Sequence, residues 1–276
     1  MSADMDLQRV NEWHRLRGFT NLYKKEHRAW WRTNRWWINA LLWTVLLGGL
    51  SALMLFAAGE EVRDASEVEL AQAGGVLGYV VSLGLNAFFE FGVPVLAIGT
   101  IILAQDLIVG ERQSGLAEWV LSKPVTRAAY VLSKLAANAV STLLLLIVLP
   151  AILVYGMLSV RMGSLFPWLP FLSGVGIMVL HTIFYLTLVL MLGTIFSSRG
   201  PILGIALGSV LGGGLLGNLL NPLFYVTPWM LPKLALMTAA SQPVAAPMAM
   251  APLVSTALWI PIFIAMALHR VEKMEC

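Results

Sequence analysis

Charge is scarce in this sequence. Asp, Glu, Lys and Arg make up 12% of its 276 residues, against roughly 25% in an average soluble domain. The apolar set accounts for 58% and the mean hydropathy is +0.79. That balance excludes a disordered chain, a nucleic-acid-binding domain and a collagen-like rod, and it points to a polytopic membrane protein. Cysteine is limited to Cys276, which excludes an intrachain disulfide and a multi-cysteine metal site. Histidine is limited to His14, His27, His181 and His269, and neither H-E-x-x-H nor G-x-S-x-G occurs, so an intramembrane hydrolase has no visible catalytic set. The phosphate-cradling signature G-x-x-x-x-G-K-[S/T] is also missing. A transporter built on this chain draws its energy from elsewhere.

Long apolar runs are what the sequence has in abundance. Six can be read, at residues 36–58, 76–105, 134–158, 170–196, 201–224 and 253–268. A span needs about 20 apolar residues, so the six use up roughly half the chain and leave no stretch for a soluble domain of about 50 residues or more. Backbone groups in hydrocarbon must bond within their own segment, so each run is expected to be a helix and the fold all-α. Lys and Arg near span ends stay on the cytoplasmic side. With the N-terminus inside, only Arg63, Arg161 and Lys233 of the 18 basic residues fall outside. Both termini are therefore expected in the cytoplasm, with the protein in the plasma membrane, bacterial in this reading. The acidic first outer loop (Glu60, Glu61, Asp64, Glu67, Glu69) fits that orientation. A cleaved signal peptide is not expected, because its basic region would be 35 residues long and five further spans would follow.

Two segments outside the hydrocarbon carry a pattern. Residues 1–35 form a cytoplasmic or interfacial unit ahead of the six-helix domain of residues 36–276. Within it Phe19, Leu22, Tyr23, Trp30 and Trp31 recur at helical spacing among Lys24, Lys25, Arg28, Arg32 and Arg35, the pattern of a basic amphipathic helix lying in the headgroup zone. Trp36, Trp37 and Trp43 extend an aromatic belt there. This helix serves as a membrane anchor or as an elbow that also contacts a cytoplasmic partner. The second segment is the loop of residues 106–133. Gly110 and Gly115 punctuate it, Leu116, Trp119 and Val120 fall at i, i+3 and i+4, and Pro124 ends the pattern. A short helix with one apolar face is predicted. Trp119 either enters a partner's cleft or tucks against the chain's own helices.

The string Gly110-Glu111-Arg112, Gly115, Glu118-Trp119, Leu121-Ser122-Lys123-Pro124-Val125-Thr126-Arg127 and Tyr130-Val131-Leu132-Ser133-Lys134 resembles the first cytoplasmic loop of ATP-binding cassette type-2 permeases. It departs from the usual pattern in having Leu116 and Ala117 where Thr and Leu are common. The resemblance implies an N-terminal interfacial helix, six spans, and a coupling helix that seats in a groove of a separate nucleotide-binding subunit. On matching positions Glu111, Arg112, Gly115, Glu118 and Pro124 would form or position that helix, with Leu116 on its apolar face and Trp119 the anchor expected from the residues themselves, since aromatic side chains often dominate interface energetics. It further implies that ATP and Mg are used by the partner ATPase, that no cofactor is bound by this chain, and that a second permease half, identical or not, completes the route. The bilayer is the other partner, and nucleic acid is none.

Inside the spans, Ser82, Asn86 and Glu90 at i, i+4 and i+8 give the second run a polar face, and His181 and Tyr185 pair in the fourth. A carboxylate in hydrocarbon costs several kcal/mol unless paired, hydrated or protonated, so this face is a candidate route between permease halves. An ion-coupled carrier using Glu90 and His181, and a non-transporting anchor for an ATPase, are the alternatives. In the fifth run Gly200, Gly204, Gly208 and Gly212 form a ladder, followed by Gly213, Gly214 and Gly217, suited to close helix packing within one subunit or at a dimer seam. Residues 225–252 carry Pro228, Pro232, Pro243, Pro247 and Pro252 together with Met230, Met237, Met248 and Met250. The segment is too apolar for a free loop and too broken for a long helix, so a re-entrant or interfacial cap is expected, its methionines acting as hydrophobic filler.

Overall fold

The computed structural model describes residues 16–216 and 226–273, and among them the fold is entirely helical. An amphipathic helix, Phe19–Trp31, precedes the first span. Five helices are long and apolar enough to cross a membrane: Arg35–Phe56, Val76–Gln113, Arg127–Met162, Trp168–Ile195 and Ala249–Glu272. The helix Arg199–Leu216 is the described part of the fifth predicted span. Its continuation to Phe224, with Gly217 and Pro222, lies outside the described residues, as do Arg9, His14, Arg15, Tyr225 and Cys276.

The fourth span is the axis of the bundle. Of its apolar stretch 78% is buried within the chain, against 33% for the first span and 22% for the sixth. It packs on the sixth span, on the second, and on a short helix Leu231–Ala239. The first and sixth spans therefore stand at the periphery, where Leu41, Leu42, Val45, Val254, Leu258 and Ile262 are exposed. Side chains of that kind suit lipid tails, which are as apolar as leucine. Phe88, Phe89, Phe166 and Phe171 form an aromatic centre at one end of the core. At the other end, Ile108, Val109, Ala117, Val120 and Val271 share one apolar cluster.

The first three spans each contain a π-helical turn, at Thr44–Gly48, Ala87–Phe91 and Leu143–Val148. Such turns shift the side-chain register by one residue and recur at functional sites. The second of them carries Glu90.

Several boundaries differ from the sequence pattern. The third span starts at Arg127 rather than near Lys134, because Thr126 caps it by accepting from the Ala129 amide at 3.2 Å. The acidic stretch between the first two spans holds two short helices, Gly59–Asp64 and Glu67–Gln72, the second with a full capping box between Ser66 and Glu69. The expectation that residues 225–252 are too broken for a long helix is corrected. The sixth helix begins at Ala246 and carries Pro252 and Pro261 in its interior. A prolyl nitrogen removes one backbone bond, and neighbouring elements make up that loss in membrane helices. Pro247 lies in the first turn, where proline costs no hydrogen bond.

Close approach of the first two spans depends on Gly99, since a Cβ there would lie 2.1 Å from the Trp43 ring. Trp43 is buried and its Nε1 donates to Asn39 Oδ1 at 3.2 Å, so the ring has little room to move. Gly99→Ala is expected to destabilise the chain by about 1–3 kcal/mol through overpacking, read as a lowered thermal unfolding midpoint in detergent. An unchanged midpoint would show that the two helices are not held at this distance.

Candidate functional site

At the basic end of the bundle, charged side chains tie the interfacial helix, the loop and the third span into one unit. Lys134 Nζ donates to Glu26 Oε1 at 2.8 Å and lies 2.9 Å from Glu111 Oε2. Lys25 Nζ reaches Glu111 Oε1 at 2.5 Å, and Tyr130 Oη donates to Glu111 Oε2 at 2.8 Å. Lys134 is 2% exposed and Glu26 9%, so this pair is largely dry, while Lys25 closes the cluster from its exposed side. One turn away, Trp30 Nε1 donates to Asn138 Oδ1 at 2.8 Å, and Asn138 Nδ2 donates to the Lys134 carbonyl at 2.8 Å. The interfacial helix is thus bolted to the third span by both charge and amide contacts.

The loop continues this unit. Arg112 donates to the Phe196 carbonyl at 3.2 Å and Gln113 to the Ser197 carbonyl at 2.9 Å, while Arg199 grips Asp106 bidentately with both distances 2.9 Å. The Thr126 amide donates to the Arg17 carbonyl at 3.0 Å. Arg127 donates to the carbonyls of Val271 and Glu272 at the end of the sixth span. Every inter-span turn at this end is anchored to the loop or to the residues that flank it.

On this base stands the short helix Leu116–Leu121. Gly115 opens it at φ +72°, a left-handed conformation that glycine adopts without strain. Ala117 and Val120 are buried and Leu116 half-buried, whereas Glu118, Trp119, Ser122, Lys123 and Pro124 face outward. The apolar face read from the sequence is therefore divided. Val120 turns into the chain's own core, and Trp119 projects with 61% of its surface exposed and Lys123 Nζ 5.0 Å from its ring centre. Glu111 and Arg112 lie behind this helix, engaged within the chain.

A second polar site lies within the membrane-spanning part. A cavity of about 230 Å³ is bounded by the second, fourth and fifth spans and the Leu231–Ala239 helix, and it brings together Glu90, His181, Tyr185, Trp229 and Lys233. Asn86 Nδ2 donates to Glu90 Oε2 at 2.8 Å, while Ser82 bonds back to the Tyr79 carbonyl at 2.7 Å. Of the polar face read from the sequence, only Glu90 lines the cavity. His181 is 3% exposed, packs edge-on against Tyr185 at 4.9 Å, and has no hydrogen-bond partner at Nδ1. Trp229 Nε1 donates to the Ser209 carbonyl at 2.6 Å, and its ring occupies the place a Cβ on Gly213 would take. A Cβ on Gly200, Gly204 or Gly208 would meet nothing within 4 Å, so these glycines serve no close contact within the described chain.

Sequence reasoning missed Trp229 and Lys233 as cavity residues and Glu26 with Lys134 as a pair. A lysine at the head of an apolar run with Tyr130 one turn before it was the available signal for the second. Lys134→Met would leave Glu26 and Glu111 facing each other with only the exposed Lys25 as a shared counter-charge. It is expected to cost about 3–5 kcal/mol, measured as loss of monodisperse chain on heating in detergent, with Glu26→Gln milder because Lys134 keeps Glu111. Equal stability of Lys134→Met and the unaltered chain would contradict this role for the cluster.

No curated protein matches the chain. A family model described as ABC-2 family transporter protein matches residues 20–276, a stretch that holds the interfacial helix but for its first residue, all the spans, the loop helix and the cavity. The chain belongs to the ABC-2 family of transporter proteins.

Proposed function

We propose that this chain is the membrane-spanning half of an ATP-driven exporter in the plasma membrane, driven by a separate cytoplasmic ATPase that docks on the Leu116–Leu121 helix. Family membership supports a multi-pass permease subunit that works with an ATPase. One observation carries the finer reading. The loop helix offers an exposed tryptophan on its outer side while its inner side is packed into the core shared with the second, third, fourth and sixth spans. A rigidly backed aromatic knob is a good interface anchor. A push on it reaches the spans directly, since Ala117 and Val120 belong to the same cluster as Ile108, Phe184 and Val271.

In this reading both termini are cytoplasmic, ATP and Mg are bound by the partner, and a second permease half, identical or not, faces this one. The outward glycines of the fifth span suit close approach to such a half. The meeting of Glu90 and His181 in one cavity favours a second reading, an ion-coupled carrier. Dependence of transport on ATP rather than on a proton gradient separates the two.

Trp119→Ala removes the knob and leaves the buried face intact. Association with the cognate ATPase is expected to weaken by at least about 10-fold, and ATP-dependent transport to fall with it, while the thermal midpoint of the isolated chain stays within about 1 °C because the residue touches little of the core. Unchanged association and turnover would place the docking site elsewhere.

A further inference from the structure

Glu90 and Lys233 line the same cavity, yet no ion pair joins them among the described residues, where every pairing within 4.0 Å lies at the basic end of the bundle. One wall therefore presents a carboxylate and another an ammonium. Among the described residues, Glu90 Oε2 accepts from Asn86 and Oε1 has no protein donor. His181, on the fourth span, lines the same cavity, and its Nδ1 is buried without a partner. A carboxylate oxygen left without a donor in a poorly hydrated space is costly, and for Glu90 that cost is relieved by a ligand that donates to it. Tyr185 and Trp229 supply aromatic walls, the Trp229 indole being fixed through Ser209.

We infer that this cavity binds a small zwitterion with a primary ammonium at one end and an anionic group at the other. The ammonium donates to Glu90, and the anion meets Lys233. The Glu90 carboxylate, with Asn86 donating to Oε2 alone, calls for an N–H donor, which a quaternary ammonium lacks. The volume of about 230 Å³ is below the roughly 300–1,000 Å³ of sites for drug-sized molecules, so the ligand has the size of a phosphoethanolamine unit. That chemistry comes either as a free solute or as the head of a phospholipid. That the ligand is also cargo rests on the export reading above, whereas its binding does not.

The test uses the full chain in phosphatidylglycerol nanodiscs, with or without phosphatidylethanolamine. Free phosphoethanolamine is titrated by calorimetry, and retained lipid is read by native mass spectrometry. Phosphoethanolamine or the phosphatidylethanolamine headgroup is expected to bind, with ethanolamine, inorganic phosphate and phosphocholine each at least about 10-fold weaker. Glu90→Gln and Lys233→Gln should each weaken binding by about 10-fold or more. Lys233 is exposed, so its variant keeps the fold, and thermal unfolding checks both. Binding of the free solute identifies a soluble zwitterion, and charge-dependent retention of the phospholipid alone identifies a headgroup. Either result supports the site. The inference is overturned if neither binds, if both variants bind like the unaltered chain, or if ethanolamine binds as tightly as phosphoethanolamine. Charge-dependent binding by a chain whose ATP-loaded complex moves no zwitterion keeps the site and removes its role in export. ATP-driven movement of other cargo with no zwitterion binding does the reverse.

Discussion

The basic end of this bundle depends on one buried ammonium. Lys134 sits between Glu26 on the interfacial helix and Glu111 in the loop, at 2.8 and 2.9 Å. Without it two carboxylates would be left with only the exposed Lys25 between them, and the contact between the elements that carry them would weaken. Burial of charge stabilises little in itself, because desolvation offsets much of the attraction. What it does supply is geometry. A carboxylate that must meet both Lys134 and the Tyr130 hydroxyl has few places to sit, so Glu111 fixes where the loop leaves the second span. Arg112 and Gln113 then fix the turn between the fourth and fifth spans, and Arg127 fixes the end of the sixth. The loop helix is the exposed part of an otherwise locked assembly.

The opposite functional feature is looser. Around Glu90 the helix changes to a π turn, the fifth span and the Leu231–Ala239 helix meet it across a cavity, and His181 keeps an unsatisfied nitrogen. Rigid packing at one end and an open polar space within the spans are the arrangement a mechanical transporter requires. On the export reading, displacement is transmitted at the loop helix and absorbed at the cavity.

Much of this was legible in the residues, and the failures have physical causes. The interfacial helix Phe19–Trp31 and the loop helix Leu116–Leu121 could be read because their apolar spacing is local. The start of the third span was missed because residues 127–133 are amphipathic rather than apolar, and hydropathy does not register a helix that continues past the headgroups. The start of the sixth was missed because Pro252 was weighed as it would be in water. The Glu26–Lys134 pair spans 108 residues of sequence, and no local pattern reports such a contact. The polar character of Glu90 and His181 could be read along their own spans, each standing out against an apolar run. Trp229 and Lys233 could not, since their place depends on how the proline-rich segment folds back onto the fifth span.

The account rests on the interfacial helix and the loop helix moving as one body. Spin labels at Thr20→Cys and Glu118→Cys, both exposed positions, in a Cys276→Ser background report their separation in the complex with its ATPase. A distance distribution that is the same with and without ATP, while a label on the Leu231–Ala239 helix shifts relative to either, is the result expected. A nucleotide-dependent change between positions 20 and 118 would contradict it.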